Sequence, residues 1–552
     1  MTATFIARPP RNGLRVRKEG DTVVAHLLDD SDLGYAALAL FIPVARTRPD
    51  GPLQVLTGKD ASKTFPSDTL RQHAIAVELP KPDRDDVRDP TRTGSYIVSF
   101  ELAPHFQADS FLALLVYFSR LPTNFAETQN SDPFDYWAEV VQSVYVAFAA
   151  QPETERSADL AGPALDKRDL APGVISALAA NASNDAVTFA LSSCLYPCDI
   201  LDHMPRGRGE VEGPADEALL RLGRVLDGLH KPDPRAGIPE LFIMAGDQVY
   251  VDATAGLFDP QSLDDKYRIP YENMFASCGS QAVLRRIGLD VRMLIDDHEV
   301  ADNWEPRDDV LARSRTADGT PSSRGITAYR RFQRDQDASQ TGPLWSEFEH
   351  RGLHFFLADT RMERESRTVH TQQTAKIMHD DQMQALQHWL HTRADPSIRK
   401  FVVSPSLLLP RRSTVVDDEA SALGCDSWVG FPASLNDLLA FLCDAGIQGV
   451  TFLSGDEHLS CDFCFSVTQI ASGKQVVLRS IHSSPLYAPY PFANSRPEDL
   501  AEWDSFEFMA RGGRYSCETL RPTFGPPGDG FALITVTPAG GLTVHFDRKP
   551  SK

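Results

Sequence analysis

The feature of this sequence that most constrains its fold is a series of apolar runs of strand length in the C-terminal two-thirds. Six runs follow one another from position 186: AVTFALSS, ELFIMAG, DVRMLID, LHFFLAD, KFVVSPS and GVTFLSG. Helical patterns lie between several of them, including 215–229, where leucine and valine side chains share one face. Apolar strands that alternate with helices are typical of an α/β fold with buried sheets.

Polar clusters follow five of these runs directly. They are Ser193-Cys194, Gly246–Tyr250, Asp296–Glu299, Asp359–Arg361 and Gly455–His458. Ligands of α/β sheets bind at the carboxyl ends of the strands, so these side chains are expected to converge. Converging carboxylates repel one another unless bound cations neutralise them. Oxygen ligands favour hard ions, whereas imidazole and thiolate favour a transition metal, so the mixture indicates a mixed or dinuclear metal site.

A dinuclear site of this composition suggests phosphoester hydrolysis. Two metal ions about 3.5–4 Å apart can clamp a phosphoryl group and activate a water for in-line attack. Asp247 is the predicted bridging carboxylate. His298 is the predicted general acid, because a histidine among carboxylates has a raised pKa. Arg361 is predicted to pair with phosphate oxygens, and the alternative is a buried structural ion pair.

The N-terminal part of the chain has a different pattern. Residues 1–150 contain short β-like runs, among them DTVVAHLL, YAALALFIPVA and FLALLVYF, separated by Pro- and Asp-rich turns. That pattern predicts a β-rich domain, either an antiparallel sheet or a sandwich. Residues 151–185 are polar and contain proline, which indicates a linker, and 186–552 form the predicted catalytic domain.

Charge and hydropathy exclude several function classes. The formal charge is −21, so the surface repels nucleic-acid phosphates and no nucleic-acid scaffold role is expected. No run approaches the roughly 18 apolar residues of a membrane span. The N-terminus, MTATFIARPPRNGLRVRK, lacks the apolar core of a signal peptide and a twin-arginine motif, so a cytoplasmic location is predicted. The eight cysteines are scattered and indicate no disulfide framework.

At the strand-end clusters the sequence resembles the PhoD-like alkaline phosphatase family of the calcineurin-like metallophosphoesterases. The resemblance covers roughly residues 187–546, through SSCLYP, GDQVYVD, YRIPY, IDDHEVADNW, ADTRMER, DDQMQALQHWL, VVSPSLLLP and SGDEHLS, in the family's order. It implies a four-layer α/β/β/α metallophosphatase sandwich preceded by a β-rich N-terminal domain. It also implies hydrolysis of small phosphate esters with a metal-activated water, as in alkaline phosphatases. Two alternatives stay open: phosphodiesterase or phospholipase D-type activity on the same scaffold, and a catalytically inactive metal-binding interaction protein.

The resemblance further implies a set of metal ligands: Cys194, Asp247, Tyr250, Asp297, Asp456 and His458, with Asn303 as a further candidate. The implied metals are iron, held partly by cysteine and tyrosine, and calcium, with manganese or zinc as alternatives. The sequence departs from the wider superfamily, because Asp-x-His reads Ser-Ser-Cys and Tyr250 replaces the second acid of Gly-Asp-x-x-Asp. Few imidazoles and many oxygens favour a hard second ion such as calcium over a di-zinc centre.

Simpler interpretations exist for several of these residues. Asp247 after a strand is able to cap a turn, and a lone strand-end Cys194 is commonly a small buried apolar residue. Tyr250 also fits a core aromatic. Cys461-x-x-Cys464 has half the spacing of a zinc knuckle, but no second pair follows, so a structural role is predicted.

Overall fold

The computed structural model forms two compact units, which are Met1–Ala179 with Phe275–Asp290, and Ala180–Met274 with Val291–Lys552. The residues it describes are 5–29, 34, 36–46, 53–55, 67–79, 94–101, 110–118, 133–149, 173–179, 186–197, 214–253, 263–306, 320–334, 342–417, 419–489 and 495–549. Most of the predicted linker, 151–172 and 180–185, lies outside the described residues. The predicted boundaries at 150 and 186 stay a prediction.

The first unit is rich in β-structure, as predicted for the N-terminal part. Its strands are β1 (Phe5–Arg8), β2 (Gly13–Glu19), β3 (Thr22–Asp29), β4 (Leu38–Arg46), β5 (Leu53–Val55), β6 (Ile75–Glu78), β7 (Gly94–Glu101), β8 (Ser110–Phe118), β9 (Val174–Ala177) and β12 (Arg286–Ile287). Its helices are α1 (Ser67–His73), α2 (Pro133–Ala149) and α6 (Cys278–Leu284).

These strands form two sheets with one shared core. The seven-stranded sheet has the order β12-β9-β8-β4-β5, with β1 on β8 and β6 on β4, and the three-stranded sheet has the order β2-β3-β7. Alternate side chains explain the packing: Phe41 and Leu115 face the three-stranded sheet and contact the cluster that holds Val23 and Ala25. The opposite face of the larger sheet packs on α1 and α2. The predicted β-rich N-terminal region is therefore confirmed.

The second unit holds the remaining strands. They are β10 (Val187–Ser192), β11 (Leu241–Met244), β13 (Asp290–Met293), β14 (Ser346–His350), β15 (Leu353–Leu357), β16 (Arg399–Ser404), β17 (Val450–Ser454), β18 (Ser460–Gln469), β19 (Gln475–Ser483), β20 (Ser505–Ala510), β21 (Gly513–Phe524), β22 (Asp529–Val536) and β23 (Leu542–Lys549). All six apolar runs that the sequence singled out form strands of this set.

Its helices lie between those strands, mostly as the sequence patterns predict. They are α3 (Glu217–Leu226), α4 (Leu263–Lys266), α5 (Ile269–Ala276), α7 (Pro321–Ala328), α8 (Asp380–Thr392), α9 (Ser413–Asp417) and α10 (Pro432–Ala445), with short 3₁₀ turns at Pro214–Asp216, Glu419–Gly424, Trp428–Gly430 and Pro497–Asp499 and a π-helical turn at Tyr329–Gln333. No helix of the described ranges is long and apolar enough to cross a membrane.

Two sheets and the helices outside them give this unit four layers. A five-stranded sheet, β13-β11-β10-β22-β23, faces an eight-stranded sheet, β14-β15-β16-β17-β19-β18-β21-β20. Between them lies an apolar core in which the Phe189 ring packs edge-on against Phe355 at 5.5 Å and Phe401 at 5.2 Å between ring centroids. Helix α3 packs against β22, and α8 and α10 cover the outer face of the larger sheet. The predicted α/β/β/α sandwich is confirmed.

The parallel strands of both sheets place the metal-binding candidates. Strands β10 and β11 are parallel, as are β15, β16, β17 and β19. Five of these strands are buried along nearly their whole length, which explains their unbroken apolar sequences. Their carboxyl ends open onto loops, and the candidate ligands lie in those loops.

Candidate metal centre

The backbone is left-handed at four of the candidate ligands, Asn303 among them with a φ of 51°. Cys194, Asp247 and Asp456 have φ angles of 52°, 57° and 74°. A left-handed conformation costs a non-glycine residue on the order of 1–3 kcal/mol and persists only where the surroundings impose it. Cys194, Asp247 and Asp456 each lie two or three residues after the end of a strand, and the turn directs each side chain into one common space. Backbone strain of this kind concentrates at functional sites.

Hydrogen bonds between the loops hold that strained backbone. The Cys194 amide donates to the Gly246 carbonyl oxygen at 3.1 Å, and the Leu195 amide donates to the carbonyl of Asp247 at 2.8 Å. Gly246 itself has a φ of 98°, and a Cβ there would lie 2.7 Å from the Cβ of Asp296. Glycine is therefore required where the second and third loops pass each other.

Four carboxylates converge in this space. One oxygen from each of Asp247, Asp296, Asp297 and Asp456 lies within 4.8 Å of the others. A ring nitrogen of His298 also lies within 4.8 Å of an oxygen of Asp247 and of an oxygen of Asp297. Burial, followed by the charge of Asp297, raises the pKa of Asp247 well above its usual value. Burial and neighbouring carboxylates do the same to Asp456. Ionising all of them together requires a bound cation.

One carboxylate oxygen of this cluster has no hydrogen-bond partner among the described residues. Asp296 Oδ1 accepts from Arg361 Nε at 2.7 Å, whereas its Oδ2 is buried and has no hydrogen-bond partner among the described residues. A buried carboxylate oxygen without a donor is costly, and a metal ion would satisfy it. The donor set thus fits a metal, with Asp296 as an addition to the predicted ligands.

The cysteine and tyrosine candidates lie at the same cluster. Cys194 Sγ is 3.4 Å from Asp247 Oδ2 and 3.4 Å from the carbonyl oxygen of Asp456. Burial raises the pKa of Cys194 to about 12. Tyr250 is buried and stacks on the His298 ring, 4.0 Å between centroids, and burial with nearby anions also raises its pKa. Both groups would ionise only with a cation bound beside them.

His298 is held by a carboxylate for which the sequence predicts no role. Its Nδ1 lies 2.8 Å from Asp252 Oδ1, and its Nε2 lies 3.9 Å from Asp302 Oδ1. Burial alone would lower the pKa of His298, but Asp297 and Asp252 together raise it to about 10. The imidazole is therefore protonated at neutral pH in the metal-free protein.

Arg361 lies beneath the cluster. Its side chain is fully buried and contacts Asp296, Asp297 at 3.4 Å, and Asp426. Burial alone would raise the pKa of Asp426, but Arg361 and Arg364 hold it below its ordinary value. These contacts favour the alternative interpretation of Arg361, a buried ion pair, over direct phosphate binding. Asp426 comes from a loop with no strand-end pattern, so the sequence carries no signal for it.

Glu299 joins two of the loops. Its buried carboxylate accepts from the amides of Asp296 at 2.9 Å, Gln248 at 2.9 Å and Asp247 at 3.3 Å. Burial raises the pKa of Glu299 to about 7. The last residue of the motif Asp-Asp-His-Glu therefore fixes the backbone of the metal centre and does not face the ligand cluster.

A cavity of about 750 Å³ opens above the cluster. His458, Asn303 and Arg412 contribute to its wall. Asn303 also donates its amide to Asp297 Oδ2 at 2.7 Å. His458 borders the same space, but it is not among the groups whose ligating atoms lie within 4.8 Å of one another. Arg412, which the sequence did not single out, donates from Nε and Nη2 to the two carboxylate oxygens of Glu457, at 2.8 and 2.5 Å.

An α/β/β/α sandwich with carboxylates from separate strand ends converging under an open cavity defines a metallophosphoesterase. A model of the PhoD-like phosphatase family matches residues 234–513, just over half of the chain, and the chain belongs to that family. It is a phosphoric ester hydrolase that depends on divalent metal ions. The resemblance seen in the motifs is thereby confirmed.

Three solved structures to which this chain is similar were also found. One is described as the structure of PhoD, with 14% identity and a TM-score of 0.44, covering 99% of this chain and 90% of that one. A purple acid phosphatase from yellow lupin (Lupinus luteus) seeds has 10% identity and a TM-score of 0.44, covering 99% and 73%. A dimetal phosphatase from Danio rerio has 15% identity and a TM-score of 0.31, covering 54% and 86%. Among proteins with a curated description, none matched the sequence.

Proposed function

We propose that this chain hydrolyses phosphomonoesters at the cluster below the 750 Å³ cavity. The observation that carries the proposal is the convergence of four carboxylates from three loops, Asp247, Asp296, Asp297 and Asp456, within 4.8 Å of one another, with His298 equally close to two of them. Such a group is unstable at neutral pH without cations, and it lies where a substrate has access. The proposed metal ligands are Cys194, Asp247, Tyr250, Asp296, Asp297, Asp456 and His458.

The donor chemistry suggests which metals these residues hold. Cys194, Tyr250 and Asp247 offer a thiolate, a phenolate and a carboxylate, a set suited to iron. Asp297 and Asp456 add hard oxygen ligands of the kind that calcium prefers. Bound there, the metal ions would supply Lewis acidity to the phosphoryl group and lower the pKa of a water molecule.

The remaining residues orient and move protons. Asp252 holds Nδ1 of His298, which leaves Nε2 on the cavity side to donate a proton to the leaving oxygen. Arg361 fixes the rotamers of Asp296 and Asp297 from below, so it is a positioning residue. Such supporting contacts commonly change metal affinity or activity by about 10- to 100-fold when removed.

The substrate class is tested with two chromogenic esters and elemental analysis. Protein purified without chelators is assayed on p-nitrophenyl phosphate and on bis-p-nitrophenyl phosphate. A faster monoester reaction together with bound iron and calcium is the expected result. Faster turnover of the diester would replace the proposal with a phosphodiesterase, and protein that neither holds metal nor hydrolyses either ester would mark a binding protein.

The role of His298 has its own test. His298→Gln is expected to lower kcat about a hundredfold for an alkyl phosphate, because the poor leaving group needs a proton. The loss on p-nitrophenyl phosphate should be small, since p-nitrophenolate leaves without one. His391→Gln, on the exposed end of α8, serves as the control. An equal loss on both substrates would show that His298 acts on metal binding and not as the acid.

A further inference from the structure

A second cavity, of about 400 Å³, lies in the second unit and shares no lining residue with the metal centre. Helix α3, the loop after it and strand β23 form its walls. Four permanent cations line it, Arg221, Arg224, Arg548 and Lys549, together with two histidines and the single acid Asp547. A net positive cavity in a chain of formal charge −21 points to an anionic ligand.

The single acid of the lining is already engaged. Asp547 Oδ1 accepts from Arg221 Nε at 2.9 Å, and Asp547 Oδ2 lies 3.0 Å from His230 Nε2. Arg221 also donates to the Asp529 carbonyl oxygen at 2.8 Å. The hydrogen bonds of Asp547 are therefore made to Arg221 and His230, although its charge also acts on Arg548. Lys549 is paired as well, because its Nζ lies 3.2 Å from Glu217 Oε1.

The two other arginines of the lining make no hydrogen bond or ion pair with a carboxylate of the described residues. Arg224 is exposed in the last turn of α3, and its guanidinium makes no hydrogen bond or ion pair with any described residue. Arg548 donates to the Pro485 carbonyl at 2.7 Å and to Ser483 Oγ at 2.6 Å, both neutral acceptors. Its Nε is buried without a partner in the described part of the chain, and burial lowers its pKa to about 9. An anion would compensate both charges.

The remaining wall is apolar. Leu229 is 61% exposed and borders the cavity beside Pro232 and Phe546. The volume exceeds that of inorganic phosphate and lies in the range of small-molecule sites. Guanidinium groups match phosphate oxygens in a bidentate way, whereas the apolar wall matches an organic group. We infer that this cavity binds a small organic phosphate through its dianionic head.

The binding test counts sites. Phenylphosphonate is a dianion that a phosphoesterase cannot hydrolyse, and equilibrium dialysis against the full-length, metal-loaded protein gives the number bound per chain. Two sites are expected, one at each cavity. Arg224→Glu should weaken one of them at least tenfold and leave turnover of p-nitrophenyl phosphate unchanged. Arg521→Glu is the matched control, because Arg521 is likewise exposed and has no ion pair with a described residue.

The outcomes separate this inference from the proposed function. If Arg224→Glu leaves the isotherm unchanged, the cavity does not bind the anion and the inference fails. If Asp247→Asn alone removes no site, the metal-centre proposal fails while the second cavity stands. Benzoate that competes as well as phenylphosphonate at the Arg224-dependent site would overturn the phosphate assignment. Arg224→Gln repeats the test without charge reversal, so that a folding defect is recognised.

Discussion

Asp247→Asn is expected to lower kcat for p-nitrophenyl phosphate by about a thousandfold or more. Asp247 and Asp297 are the two carboxylates that both ligand groups share, and Asp247 contacts Cys194 as well. Loss of its charge would weaken every metal bound there, and metal ions supply several kcal/mol of transition-state stabilisation, where about 1.4 kcal/mol is a factor of ten. Steady-state kinetics and the metal content per chain measure the effect.

Asp247→Asn is also expected to raise the stability of the metal-free protein, although it lowers activity. In metal-free protein, Asp247→Asn removes one of several mutually repelling groups, so its thermal unfolding midpoint should rise above that of the wild type. Asp381→Asn, an exposed aspartate in the first turn of α8, is the control for both measurements. Retained turnover, or a metal-free midpoint that falls, would mean that Asp247 has a structural role only.

Removal of the metals is expected to abolish hydrolysis and to reverse the pH dependence of stability. In the metal-free protein, burial raises the pKa of Asp296 to about 6 and that of Glu299 to about 7. A carboxyl with a raised folded pKa stabilises fully below its unfolded pKa, near 4, and the stabilisation is lost as pH rises through the folded value. The unfolding free energy should therefore fall between about pH 4 and 7, by about 2–3 kcal/mol for each group.

Asp247 and Asp456, whose pKa values burial also raises, add to this fall, whereas three other shifted groups act outside that window. Asp297 and Asp426 have lowered pKa values, so their stabilisation is lost only as the pH falls below 4. His298, whose pKa is raised to about 10, loses its contribution above pH 6.5, in the same direction. Metal-loaded protein should show no such decline, because metal binding becomes stronger as its ligands deprotonate.

Thermal unfolding from pH 4.5 to 7.5, with and without chelator, checks this expectation. Glu299→Gln should flatten the metal-free slope, because the amide does not titrate, although it keeps only one of the two oxygens that accept the loop amides. Equal slopes for the loaded and stripped wild type would show that the carboxylates are not held together at a metal site.

The sequence predicted the fold of the second unit well because its strands are buried on both faces. A fully buried parallel strand has an unbroken apolar sequence, as in Val187–Ser192 and Val450–Ser454, and such runs are visible without a structure. The same rule locates the ligands, since a polar residue just after such a run lies at a strand end. Asp247 and Asp456 were predicted on that basis, and both lie in the cluster.

Contacts made by loops without a pattern escaped prediction. For Arg361, phosphate binding and a buried ion pair both stayed open because its partners were unknown, and one of these, Asp426, is 65 residues away in an irregular loop. Asp252 and Arg412 were likewise given no role, because their distances to His298 and Glu457 depend on the tertiary fold alone. The domain limits stay a prediction.

The bonds from Glu299 to three amides have a bearing on how a protein of this architecture can change. One interior side chain, which does not itself line the cavity, fixes the turns that carry Asp247 and Asp296. Segments at the rim of the cavity, such as those that contain Arg412 and Ser495, are therefore open to replacement by insertion or exchange. Selection for new substrates would then leave the metal-binding residues unchanged and act on the loops at the rim of the cavity.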